Sequence, residues 1–232
     1  MRLDRYLAAS RIGSRSEVKN YIRKGLVCVN KALCKDPSFS VQTDDEVSVN
    51  GQTVTYREHV YYMLNKPAGY ISATEDAADR TILDLFPESL RKGLFPVGRL
   101  DKDSVGLLIV TDDGGMAHRL MSPKNHVDKR YFIRTDLPLS DYDSDAFSEG
   151  IVLNDGTKYR SATLEICESD NTEAVVTISE GKYHQVKNMI ASRGKKVTYL
   201  KRLSVGNLNL DPDLVEGMYR ELSDDEIAVL SK

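Results

Sequence analysis

Between residues 98 and 114 the chain reads GRLDKDSVGLLIVTDDG, which sets the carboxylate of Asp101 close behind Arg99 and just ahead of an almost unbroken apolar run. A carboxylate can serve as a nucleophile, a base or a fixed charge. It can equally cap a turn or pair with a neighbouring arginine, and spacing alone leaves both readings of Asp101 open. A glycosidase or nucleoside hydrolase would need a second catalytic acid beside it. Asp103 is the obvious partner, and nothing in the sequence places it suitably.

Other chemistries find little footing. His59, His118, His126 and His184 are scattered, with no pair at metal-ligand spacing. Cys28, Cys34 and Cys167 are odd in number and form no C-x-x-C, which suggests neither a zinc site nor a disulfide framework. There is no G-x-G-x-x-G and no phosphate loop, so a nucleotide cofactor is not expected.

The elements that must position Asp101 follow from periodicity. The run LLIV predicts a buried central strand, with Asp112 and Asp113 capping a helix that begins near Gly115. YYMLNKPAGY, RYFIRTDL, SATLEIC and EAVVTISEG also read as strands, while GMAHRLMS, DYDSDAFSEG and YHQVKNMIASRG read as helices. The order does not alternate as βαβ units do. A mixed, largely antiparallel sheet flanked by helices is the better fit, giving an α+β fold from about residue 59 to residue 232.

Ahead of it, residues 1–58 form a small unit of their own. Leu3, Tyr6 and Leu7 recur at helical spacing. Ser14 and Glu17 make a capping box for a second helix, whose apolar face is Val18, Tyr21 and Ile22 and whose end is Gly25. LVCVN and EVSVNGQTV alternate like strands, with Asn50-Gly51 as a two-residue hairpin turn; residues 52–59 are read as the connection to the next unit.

Charge separates the two units. The chain of 232 residues has a formal net charge of -3, yet residues 1–35 carry nine Lys or Arg against Asp4 and Glu17, or +7, which leaves -10 for the other 197 residues. A basic head on an acidic body points to a polyanionic partner, with nucleic acid first. Arg15, Lys19 and Arg23 fall four apart on one helix face, with Arg2, Arg5, Arg11, Lys24 and Lys31 nearby, and phosphate binding is expected there. No run approaches the roughly 18 apolar residues of a membrane span, and MRLDRYLAAS does not read as a signal peptide, so a cytoplasmic protein is expected.

Residues Arg2 to Asn30, RLDRYLAASRIGSRSEVKNYIRKGLVCVN, resemble the S4-type RNA-binding domain. The rest of the chain resembles the pseudouridine synthases, in the branch that acts on the small ribosomal subunit. The resemblance rests on NKPAGY (65–70), GRLDKDSVGLLIVTDDG, KRY (129–131), and EGKYHQVKNM with LKRLSVGNL (180–189 and 200–208), four motifs in the family's order. It implies a reaction that breaks the bond between ribose and a ring nitrogen, turns the uracil and rejoins it through a ring carbon, with no cofactor and no metal. The substrate implied is one specific uridine of small-subunit (16S) ribosomal RNA, met in a partly assembled particle by a monomeric enzyme.

The resemblance also assigns roles. Asp101 becomes the nucleophile, ionised in a pocket from which water is excluded. Such burial disfavours charge, so a fixed cation is needed, and Lys187 takes that place where many relatives carry Arg. Tyr131 stacks on the extruded base and could shuttle a proton. Arg99 orients the catalytic loop or a phosphate, and Lys66, Lys129 and Gln185, which lie within the motifs, are expected beside the RNA. Gly98 and Gly106 would permit tight turns or close backbone approach to RNA. Ser104 stands where relatives have Thr, and Asn188 where a basic residue is frequent. Two rivals within reach of the same residues are a large-subunit ribosomal RNA synthase of the same family and a non-catalytic assembly factor.

Overall fold

The computed structural model describes residues 1–10, 12–56 and 58–230. The chain divides into two compact units, Met1–Val60 and Tyr61–Lys232. In the first, α1 (Leu3–Ala9) and α2 (Arg15–Arg23) precede β1 (Val27–Val29), β2 (Ala32–Leu33), β3 (Val47–Val49) and β4 (Gln52–Val54). The strands pair in the order β2-β1-β3-β4. Leu3, Leu7, Val18 and Ile22 pack on Val27, Val29, Val47 and Val49 to form the core, as the periodicity predicts.

The start of α2 is built by its capping box. The Ser14 hydroxyl accepts from the Glu17 amide while the Glu17 carboxylate accepts from the Ser14 amide, so two otherwise orphaned donors are satisfied. Asn50 and Gly51 both have positive φ, 52° and 78°, the pairing that a two-residue hairpin twisted to match its strands requires. The hairpin carries β4 to Val54, so the first residues of the expected 52–59 connection belong to the sheet.

The second unit contains β5 (Tyr61–Lys66), α3 (Glu88–Arg91), β6 (Phe95–Val97), β7 (Val105–Thr111), α4 (Gly114–Met121), β8 (Lys129–Thr135), α5 (Asp141–Glu149), β9 (Ile151–Val152) and β10 (Lys158–Tyr159). It continues with β11 (Thr163–Cys167), β12 (Asp170–Ile178), α6 (Gln185–Ser192), β13 (Val197–Val205), β14 (Leu208–Asn209), β15 (Tyr219–Glu221) and α7 (Asp224–Leu230). Its main sheet runs β11-β12-β8-β13-β7-β5-β15, with β6 on β7 and β14 on β13. Among the described strands of this sheet β13 and β7 pair in parallel and the other pairs are antiparallel. The fold is therefore α+β with a mixed, largely antiparallel sheet and flanking helices.

All seven residues of β7 are buried, the pattern of a strand covered on both faces. Gly106 within it has φ 98°, and a Cβ there would meet the backbone oxygen of Arg202 at 2.4 Å. The close backbone approach expected at Gly106 is thus made by β13 rather than by RNA. One row of residues crosses four strands in register: Tyr131 on β8, Arg202 on β13, Gly106 on β7 and Lys66 on β5. That row is the floor under the loop that carries Asp101.

Candidate active site

Asp101 lies in the loop between β6 and β7, and the loop is held by its backbone. The Lys66 ammonium donates to the carbonyls of Asp101 at 3.0 Å and Ser104 at 2.8 Å, and also to that of Pro67 at 3.0 Å. The Ser72 hydroxyl donates to the Leu100 carbonyl and accepts from the Leu100 amide, each at 2.9 Å, and the Gly69 amide reaches the Lys102 carbonyl at 2.7 Å. A side chain mounted on a loop pinned at residues 100, 101, 102 and 104 needs no further ordering to meet a substrate.

Helix α6 brings the counter-charge. The Lys187 ammonium donates to Asp101 Oδ2 at 2.8 Å and to Asp103 Oδ1 at 2.7 Å, so one lysine spans both carboxylates. His184, which caps the start of α6, places Nε2 3.3 Å from Asp101 Oδ1. Burial works against the Lys187 charge, but hydrogen bonds to Asp101 and Asp103 and their charges outweigh it and hold the ammonium above the usual lysine range. Burial likewise opposes the Asp103 charge, and the Lys187 hydrogen bond and charge again prevail, keeping Asp103 below the ordinary carboxylate range. An acid so held is ionised at neutral pH and cannot donate a proton, which removes the paired-acid arrangement of a glycosidase.

Arg99, Asp101, Ser104, Tyr131, Gln185 and Lys187 line one cleft. Tyr131 is buried on the face of β8 that looks into it. Arg99 is exposed and has no hydrogen-bond partner among the described residues. Asp101 keeps 28% of its side chain exposed, so the free protein presents it in an open cleft rather than in the dry pocket that the sequence suggests.

Three expectations need correction. Lys66 is wholly buried and its ammonium is committed to loop carbonyls, so it positions Asp101 and does not reach RNA. Burial pushes its value down to about 8. Lys129 is buried as well; its ammonium donates to the Val127 carbonyl at 2.7 Å, and burial lowers it from the lysine range, followed by the charge of nearby Arg202. Gln185 lines the cleft, but its amide is engaged: the nitrogen donates to Glu180 Oε1 at 2.9 Å and the oxygen accepts from the Lys182 amide at 3.1 Å. It shapes the turn into α6.

His184 is the residue that sequence reasoning missed; Asp103, weighed there only as a second acid, is instead a second partner of Lys187. A signal existed for His184: it stands three before Lys187 in the same motif, directly ahead of the helix that carries the lysine.

In the first unit, Arg5, Arg15 and Arg23 are exposed and unpaired among the described residues. Arg2 is exposed too, but its guanidinium holds Asp4 by two hydrogen bonds of 3.0 and 3.1 Å; Lys19 lies 3.9 Å from the same carboxylate. Arg11 lies outside the described residues. No helix among the described residues is long and apolar enough to cross a membrane, and no cluster of His, Cys, Asp and Glu there could hold a metal ion.

The chain resembles known proteins over its whole length. Residues 60–192 match the family model for RNA pseudouridylate synthase, and residues 1–47 match that of the S4 domain. The chain is 47% identical to an uncharacterized RNA pseudouridine synthase of Bacillus subtilis, over 100% of this chain and 99% of that protein. It is 39% identical to ribosomal small subunit pseudouridine synthase A of Pasteurella multocida over the full length of both, and 36% identical to the Escherichia coli protein of that name over 98% and 99%. A crystal structure of a pseudouridylate synthase superposes with a TM-score of 0.71 at 38% identity, covering 99% of each chain. An RNA-binding head joined to a mixed sheet that presents a loop carboxylate held by a lysine is the build of an RNA-modifying isomerase. More particularly, the chain belongs to the RNA pseudouridylate synthase family.

Proposed function

We propose that this protein converts one specific uridine of small-subunit ribosomal RNA to pseudouridine, with Asp101 as the nucleophile and no cofactor. The observation that carries the reading is the Asp101 carboxylate on a pinned loop, 2.8 Å from the Lys187 ammonium, in the cleft that Tyr131 also lines. The choice of the small subunit is supported by the full-length likeness to enzymes named for it.

The uridine must leave its stack to reach the cleft, and the cost of extrusion is met by contacts that only the extruded nucleotide makes. Tyr131 offers a ring against which uracil can lie, and Arg99 offers an unpaired guanidinium for a phosphate. The Asp101 carboxylate attacks the nucleotide, the bond from ribose to the ring nitrogen breaks, and Asp101 leaves again as a carboxylate once the ring carbon is joined to the ribose; Lys187 and His184 hold its orientation. Bound RNA closes the open side of the cleft, which strengthens the Asp101–Lys187 attraction as water leaves. After the base has turned and rejoined through carbon, that carbon gives up its proton, and the Tyr131 phenol is the group placed to relay it.

The test is to map pseudouridines by carbodiimide modification and primer extension in cells with and without the gene. One site in small-subunit RNA should vanish with the gene and return with the wild-type protein but not with Asp101→Asn. A missing site in large-subunit RNA would move the target to the other subunit; an unchanged map would leave an assembly factor. Purified protein offered naked RNA and partly assembled particles then tells which form is the substrate.

A further inference from the structure

We infer that Tyr183, stacked on His184 at the rim of the cleft, is a shelf that receives the nucleobase next to the extruded uridine. The inference rests on the function proposed above. It starts from an unusual exposure: Tyr183 keeps 80% of its surface in water although it stands within four residues of Lys187.

The ring nonetheless has a packing partner. It lies against the His184 imidazole with centroids 3.8 Å apart and planes 20° from parallel. His184 in turn points Nε2 at Asp101 Oδ1, 3.3 Å away. Carboxylate, imidazole and phenol therefore follow one another outward from the cleft, with the phenol largely exposed.

The backbone gives something up to create this order. His184 has φ 50° and ψ 29°, a left-handed conformation that costs a non-glycine residue free energy and is found where surrounding structure enforces it. Here the enforcement is visible. Asn188 Nδ2 donates to the Tyr183 carbonyl at 3.2 Å and to the Tyr159 hydroxyl at 2.9 Å, while Gln185 accepts from the Lys182 amide. The segment is held on both sides of the stacked pair. Asn188 thus serves this turn.

A rigid aromatic face open to water beside an RNA-modifying centre suits a nucleobase. Every base has a π-face, so stacking is tolerant of sequence, and the imidazole behind the ring supports it from one side, which lowers the entropy cost of binding. The extruded uridine is destined for Tyr131 inside the cleft, so the base left for the rim is its neighbour along the strand. That neighbour would lose a stacking partner on extrusion and regain one on Tyr183.

The experiment uses the full-length protein and a synthetic RNA containing the mapped target, with 2-aminopurine placed on the 5′ or the 3′ side. Stacking on Tyr183 quenches the fluorescence of one of the two probes when wild-type protein binds. Tyr183→Ala abolishes that quench and raises KM by about 5- to 150-fold, the range corresponding to one lost base–aromatic stack, with turnover at saturating RNA little altered. Tyr183→Phe, which keeps the ring, restores both the quench and most of the affinity. Because Tyr183 is exposed, its replacement does not endanger folding. If the wild-type protein turns over the RNA but Tyr183→Ala matches it in quench and KM, the shelf is refuted and the isomerase stands. If the wild-type protein modifies no uridine, both fall together.

Discussion

At the scale of single residues the site divides into groups that meet the substrate and groups that hold them. Asp101 belongs to the first kind: Asp101→Asn keeps size and shape but removes the charge, so turnover should fall by at least about 10³-fold while RNA binding stays within a few-fold. A single-turnover assay beside a filter-binding isotherm separates the two effects. Lys187 touches both carboxylates through one ammonium, and Lys187→Met leaves Asp101 and Asp103 facing each other without a cation. Lys187→Arg supplies the charge with a fork in place of a point and should keep more activity than Lys187→Met in the same assay.

Lys66 is of the second kind, and its effect is legible in stability as well as in rate. Lys66→Met strands buried carbonyls of the Asp101 loop, a loss of about 2–4 kcal/mol by the usual penalty for unsatisfied groups. Its pH dependence has a definite sign. The folded value sits at about 8 against an ordinary 10.5. Between those two pH values the unfolded chain holds more protons, so this site's contribution to stability rises with pH across that window, and below about 8 the cost of burying the charge is fully present. Urea unfolding of wild type and Lys66→Met at pH 7.5, 9 and 10, compared as a difference, should show the climb only in the wild type. A flat difference would contradict the burial of this ammonium.

Among the secondary elements, two helix starts carry predictions. Asp113 caps α4 by accepting from the Met116 amide at 3.0 Å, and the same carboxylate accepts from the Tyr61 hydroxyl at 2.8 Å, which joins α4 to β5. Burial, then that hydrogen bond, pushes the Tyr61 phenol up to about 12. Asp113→Ala should therefore cost more than the typical ~1 kcal/mol of a lost cap, and Tyr61→Phe combined with it should recover part of the loss in a double-mutant cycle. At the start of α7, Glu226 takes two 2.8 Å bonds from Arg220 on β15, and this pairing holds it at about 2. The stability it gives is present above pH 4.5 and disappears as pH falls toward 2. Acid unfolding of Glu226→Gln should be correspondingly less steep in that range.

Much of this level could be read from the chain, and the failures have physical causes. Period and capping marked α1, α2, α4, α5, α6 and the strands β5, β7, β8, β11 and β12. The strand β13 escaped because Lys201 and Arg202 interrupt its apolar pattern; the Arg202 guanidinium is admitted to the interior by its bond to the Leu107 carbonyl across the sheet, a contact no local pattern contains. The parallel β7–β13 pair is equally non-local. α7 had a signal, Ser223 three before Glu226, that forms a capping box of the same kind as Ser14 and Glu17. In the site, motif order located Asp101, Tyr131 and Lys187 but could not show that Lys66 and Lys129 are buried, since lysines are nearly always exposed unless a particular set of acceptors is folded around them.

For the molecule as a whole the decisive property is the separation of charge, +7 in residues 1–35 against -10 beyond. A net acidic chain approaches ribosomal RNA productively only if its basic end leads, so the salt dependence of binding should be set there. The structure ranks the contributors. Arg15 and Arg23 are exposed and unpaired among the described residues, whereas Arg2 is held by Asp4 and Lys19 stands 3.9 Å from it. Each free cation that neutralises a phosphate adds about 0.7–0.9 to the slope of log affinity against log salt. Arg15→Ala with Arg23→Ala should lower the slope by about 1.5, Lys19→Ala by less, and Arg2→Ala least, because the Asp4 carboxylate already neutralises its guanidinium. Isotherms for the full-length protein between about 50 and 200 mM salt, the range over which such contacts are resolved, measure each slope directly. Turnover at saturating RNA should be unaffected in all three variants, since Tyr131, His184 and Lys187, which share the cleft with Asp101, belong to the second unit. Equal slopes for wild type and the Arg15/Arg23 double variant would place the electrostatic contact elsewhere on the chain.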